Sequence, residues 1–172
     1  MIKKKLTVMV TMLVAFLLQT TVFRHLALSD VVPNLMLVVT VSYAYLRGRT
    51  SGILVGLVCG LMLDMGYESV VGLCGLALMS IGFFVGFCKK FYFRNGLILP
   101  IILITVSDLL YGLYYYIVAF LIRAKTHFGF YFIHRILPEI IYTALVGVVY
   151  YYLIVIIEKR ITTNRRREEE GF

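Results

Sequence analysis

Apolar residues fall into six runs, at about residues 6–23, 31–46, 50–65, 72–88, 97–122 and 136–157, each bounded by charge, proline or glycine. Runs of this length and uniformity predict helices that cross a bilayer, which needs about 20 apolar residues per crossing. The first run is preceded by Lys3, Lys4 and Lys5 and followed by no small-x-small cleavage pattern, so it is expected to stay as a first span. The second and third runs are short, about 16 residues each, and only Arg47-Gly48-Arg49 separates them. Two cations and a glycine predict a tight turn at the membrane surface. Short neighbours imply either a thinner bilayer beside them or recruitment of flanking residues. The fifth run is the longest, and the basic, aromatic loop 123–135 that follows is expected to lie along the interface. Pro33, Pro100 and Pro138 stand at helix starts, where the missing N–H costs no helical bond.

The expected fold is therefore all-α: a polytopic bundle of six transmembrane helices, with residues 1–157 forming one membrane domain and 158–172 a charged cytoplasmic tail. Basic residues set the orientation. Those in the segments before run one, between runs two and three, between runs four and five, and after run six outnumber those in the alternate loops. By the positive-inside rule both termini face the cytoplasm. The localisation that follows is a membrane that the chain crosses several times.

Composition narrows function more than fold. Apolar types make up 61% of the 172 residues and charged types 15%, with a mean hydropathy of +0.92. A soluble enzyme is excluded on these figures. Six spans leave roughly 52 residues for loops and tails, too few for an extramembrane domain. The net charge of +8 is explained by orientation and by attraction to anionic lipid rather than by nucleic acid. No zinc-protease, serine-hydrolase or phosphate-loop motif occurs. His25, His127 and His134 lack helical metal spacing, and Cys59, Cys74 and Cys88 read as small buried hydrophobes. No catalytic residue, metal or cofactor is expected.

The strongest pattern is a glycine ladder, Gly48, Gly52, Gly56, Gly60, ending on Asp64. Steps of four on a helix drift only about 40° each, so the glycines line one flank. Such a flank admits a second helix backbone at close range. The neighbour is either another helix of this chain or a partner's helix. Gly82 and Gly86 repeat the spacing in the fourth run. Asp64 is expected at a helix end and Asp108 inside the fifth span, facing protein, with Ser107 and Tyr111 close by. Glu139 is a first-turn residue favoured by the helix dipole. The tyrosines at 111, 114–116 and 150–152 are expected in an aromatic belt, a ligand-stacking wall being the alternative.

These residues carry a resemblance. Pro33-Asn34-Leu35 opens a short helix that closes on Arg47-Gly48. A glycine-rich helix then ends on Gly60-Leu61 and Asp64, and the chain restarts at Gly72-Leu73. The pattern resembles the rod shape-determining protein MreD family, with Asn34 standing where that family often has Asp. The resemblance implies a non-enzymatic integral scaffold of the bacterial elongation machinery, acting in cell shape and lateral peptidoglycan synthesis. It implies MreC as direct partner and, through it, MreB, RodA and the associated transpeptidase. Pro33, Asn34, Arg47, Gly48, Gly52, Gly56, Gly60, Asp64 and Gly72 would be structural or partner-facing. The family's fold is similar to the substrate-binding S component of energy-coupling-factor transporters, so the alternative is a small-molecule-binding transporter subunit.

Overall fold

The computed structural model describes residues 2–25, 31–67, 72–91, 98–123 and 136–170, with Gly129 and Ile133 in addition. Six helices make up the described residues: α1 (Ile2–Leu17), α2 (Leu35–Arg47), α3 (Arg49–Tyr67), α4 (Leu73–Phe87), α5 (Ile98–Arg123) and α6 (Leu137–Glu170). The expected interfacial course of loop 123–135 falls almost wholly outside them.

α2 is the centre. All of its residues from Leu35 to Tyr45 are buried, and each of the other five helices packs on it. Its thirteen residues rise only about 20 Å. A helix so short, with Thr40, Ser42, Tyr43 and Tyr45 on its surface, is a poor bilayer span but a good core. Its hydroxyls are satisfied locally, Thr40 on the Met36 carbonyl (2.9 Å) and Ser42 on that of Val38 (2.6 Å).

Four helices are long and apolar enough to cross a membrane: Lys5–Val22, Leu73–Lys90, Ile98–Val118 and Leu137–Arg160. Among the described residues the second and third of the six expected spans, the short ones, are not in this set. α2 is too short, and α3 is diluted by Arg49, Thr50, Ser51, its glycines and Asp64. α2 is covered by protein from Leu35 to Tyr45, whereas α3 is covered along its glycine flank and exposes Leu54, Val58 and Met65.

Contacts fix the directions. Gln19 at the end of α1 reaches Met36 at the start of α2, so α1 and α2 are antiparallel. α2 and α6 run parallel, since Asn34 meets Thr143 and Arg47 meets Glu158. α5 runs against α6, with Gly112 near Ile136 and Gly147 near Ile104. The start of α1 and the residues around Arg160 thus lie at one end of the bundle. α6 continues as one helix to Glu170, through residues 158–170 of the expected tail.

α1 does not end cleanly. After Leu17 it widens into a π-helical turn, Leu18–Val22, before Phe23–His25. Thr20 and Thr21 donate their hydroxyls to the Phe16 and Leu17 carbonyls, the back-bonding that bends helices. Near its middle, a polar knot joins three helices. Tyr43 donates to Thr11 Oγ1 (3.1 Å), Thr11 donates to the Thr7 carbonyl, and Tyr150 donates to the Thr11 carbonyl (3.0 Å).

This knot corrects the aromatic-belt expectation for Tyr150 and Tyr151. Both are core residues, whereas Tyr152 is 55% exposed. Tyr150→Phe is expected to lower stability by about 0.5–1.5 kcal/mol, the worth of one buried hydrogen bond. Tyr152→Phe should leave the thermal unfolding of the detergent-purified chain unchanged.

Candidate functional site

The residues that the sequence singles out gather on the α2–α3–α4 unit. Gly48 is not part of the packing flank. Its φ of 98° makes it the single residue between α2 and α3, closing α2 through its N–H on the Ala44 carbonyl (2.8 Å). A left-handed backbone of this kind favours glycine. The ladder that packs is therefore Gly52, Gly56 and Gly60.

Its neighbour is α4 of the same chain. A methyl group at Gly52 would overlap the Gly82 carbonyl, one at Gly56 the Leu78 carbonyl, and one at Gly60 the Gly75 and Cys74 backbone. The contact is mutual, for a methyl at Gly82 would strike Gly52 and one at Gly86 would strike the Arg49 backbone. Of the two neighbours the sequence allows, this flank is filled by the chain's own helix. Lipid chains are as apolar as leucine side chains, so close backbone contact supplies the attraction that burial cannot.

Asp64 closes the end of that seam remote from Gly48. It is 1% exposed, and its carboxylate accepts three backbone N–H groups of the next helix start: Gly72 (2.8 Å) and Gly75 (3.1 Å) on Oδ2, and Cys74 (3.0 Å) on Oδ1. The first turn of a helix has N–H groups without partners and carries the positive end of its dipole. An anion from α3 answers both. Gly72 adopts φ 109°, which turns its N–H toward the carboxylate, and nothing crowds its Cα. Glycine is required there by backbone conformation, not by space.

The ends of α2 are completed in the same way. At its start Pro33 and Asn34 are buried, and Asn34 Oδ1 caps the Leu37 N–H (3.1 Å). Gln19 accepts the Met36 N–H (3.2 Å) and Thr143 accepts the Asn34 N–H (3.1 Å). At its finish Lys89 donates to the Arg47 carbonyl (2.9 Å), where a cation also suits the dipole. Arg47 itself forms a half-buried ion pair with Glu158, its Nε 2.7 Å from the carboxylate, and lies over the Tyr43 ring. Gln19, Thr143, Lys89 and Glu158 were not among the sequence candidates. A glutamine inside an apolar run and a lone glutamate at the end of one were the available signals.

Asp108 stands apart from this unit. It is 2% exposed on α5, beside Thr143, and neither of its oxygens has a hydrogen-bond partner among the described residues. Tyr111, one turn on, donates to Cys74 Sγ (3.3 Å) rather than to Asp108. No group of three metal-ligating side chains occurs among the described residues. What Asp64, Lys89 and the Arg47–Glu158 pair can do chemically is hold helices, since these charges face backbone groups or one another.

Asp64→Ala should leave three donors unpaired, two of them buried, and cost about 3 kcal/mol. Asp64→Asn, which keeps an acceptor oxygen, should cost less. Gly72→Ala should cost about 1–2 kcal/mol through backbone strain alone, with Gly72→Asn milder. Unfolding of the purified variants in detergent ranks all four, and an Asp64→Ala protein as stable as wild type would contradict the capping role.

No curated protein sequence and no solved structure matches the chain. A family model does, that of the rod shape-determining protein MreD, over residues 1–161. The match extends far beyond the glycine-rich unit and takes in the central helix, α5 and the spanning part of α6. With the apolar helices it makes the chain a membrane protein with a role in determining rod shape, and it belongs to the MreD family.

Proposed function

We propose that this chain is a non-enzymatic scaffold of the bacterial elongation machinery, seated in the cytoplasmic membrane with both termini in the cytoplasm. In this reading it binds MreC and, through MreC, works with MreB, RodA and the associated transpeptidase in lateral peptidoglycan synthesis. The observation that carries it is the use made of Asp64. The carboxylate that ends the family motif spends both oxygens on backbone N–H groups of its own chain, which is assembly chemistry and not turnover.

The same geometry moves the partner surface. With Gly52, Gly56 and Gly60 covered by α4, an MreC helix is left the lipid-facing sides of the bundle. Single-span partners need no groove there; van der Waals contact along one helix face suffices.

The small-molecule-binding alternative draws on Asp108 alone, a buried carboxyl whose oxygens accept nothing among the described residues. Against it stands α2, which fills the middle of the bundle with side chains.

Tagged chain purified from membranes is expected to bring MreC with it. Failure to capture MreC from cells whose rod shape depends on the tagged chain would reject the partner assignment. Gly56→Leu is expected to remove the chain from the membrane, because the new side chain meets the Leu78 backbone. Normal accumulation of that variant with loss of MreC alone would restore the ladder as the partner surface. Asp64→Ala should impair rod shape in complementation more than Glu139→Ala, and equal tolerance of both would undo that ranking.

A further inference from the structure

At the Arg47 end of the bundle the cations divide into two kinds. Arg47 is neutralised by Glu158. Arg49 and Lys90 have no acidic partner among the described residues, and Lys89 donates to a neutral carbonyl. Their own helices offer none: no Asp or Glu occurs from 49 to 63 or from 72 to 90. The first acid on α3 is Asp64, fifteen residues and about 22 Å away at the other end.

These cations are held rather than loose. The Arg49 backbone is pressed against Gly86, and its guanidinium lies 4.4 Å from the centre of the Phe87 ring. Stacking of this kind fixes the plane of the fork and leaves its edge free to donate. Lys89 lies against Gly48 with its ammonium on the Arg47 carbonyl, and Lys90 follows it in the short 3₁₀ turn Cys88–Phe91. Charge is thus presented from both helices of the hairpin, Arg49 on one side and Lys89–Lys90 on the other.

Directly inward lies exposed apolar surface. Phe83, Phe84 and Phe87 form an edge-to-face cluster on α4, and Leu54 and Val58 are exposed on α3. Three cations without an acidic partner among the described residues, beside the exposed aromatic face of α4, match one kind of ligand. We infer that this end of the α3–α4 hairpin is a binding site for a phospholipid carrying two phosphates, cardiolipin in its chemistry. Its phosphates take Arg49 and Lys89–Lys90, and its acyl chains lie on Phe83, Phe84 and Phe87. A single phosphate would leave one of the two cationic sides unmatched. The site is independent of the partner reading above.

The test uses the full chain, purified in mild detergent and titrated with cardiolipin, phosphatidylglycerol, phosphatidylethanolamine or a polyprenyl diphosphate, with bound lipid read by native mass spectrometry. Cardiolipin should bind at least about tenfold more tightly than phosphatidylglycerol. Each cation near an anionic headgroup contributes about fivefold, so Arg49→Gln with Lys90→Gln should weaken cardiolipin about 25-fold. Lys5→Gln with Arg160→Gln, exposed cations at the same end, should change it less than about twofold. Equal binding of phosphatidylglycerol, an equal loss in the Lys5/Arg160 pair, or tighter binding of the polyprenyl diphosphate would each overturn the assignment. Should the Arg49 variant fail to fold, Lys90→Gln alone decides: a loss of roughly fivefold supports the site and no loss rejects it.

Discussion

A helix of thirteen residues, buried from Leu35 to Tyr45 by five others, must find partners for its end groups largely within the protein, and the rest of the molecule is arranged around that constraint. Helix ends leave N–H and C=O groups without intrahelical partners. At membrane depth no solvent supplies them, and each one left bare costs several kcal/mol. α2 therefore draws its caps from the protein: Asn34 and Gln19 at the start, Lys89 at the finish. Thr143 and Arg47–Glu158 then tie the two ends to α6 at matching heights. α2 and α6 are locked in register by polar contacts at both ends, with the Tyr43–Thr11–Tyr150 knot between them.

The α3–α4 hairpin solves the same problem differently. α3 is not apolar enough to stand against lipid alone, and its glycines give it little side-chain surface with which to pack. Bringing two backbones into contact turns that poverty into attraction, because dispersion acts over the whole length of the seam. The seam then needs both ends closed. Gly48 reverses the chain at one end, and Asp64 caps α4 at the other. Gly48, the ladder, Asp64 and Gly72 form one device, a turn, a contact and a cap, which accounts for their co-occurrence in one stretch of sequence.

Much of this was legible before the structure. Proline, glycine and charge mark helix limits by local chemistry, so the six helices and the Arg47–Arg49 turn could be read directly. The central place of α2 could not. An apolar run looks the same whether it faces lipid or other helices, and only Thr40, Ser42, Tyr43 and Tyr45 hinted at protein on all sides. The partners of Arg47 and Asn34 lie 111 and 109 residues away, beyond any local pattern. Asp64 could be placed at a helix end but not paired, since its ligands are backbone groups without a residue signature. Tyr150 and Tyr151 misled for the opposite reason: tyrosine near a helix end suggests an interface, but a core that holds a polar knot uses the same residue.

A bundle held this way makes a poor moving part and a good fixed one. The acidic residue at the motif's end and the paired cation Arg47 are both spent within the fold, and Asp108 alone keeps a buried carboxyl without a partner among the described residues. Rigid polar ties at three heights resist the sliding of helices that alternating access requires, since each slip would strand buried donors. What such a structure offers its surroundings is its outside: a fixed set of helix faces in the membrane plane and a fixed pattern of cations at one end. Held position is what such a bundle can offer, and that suits a chain with a role in determining rod shape.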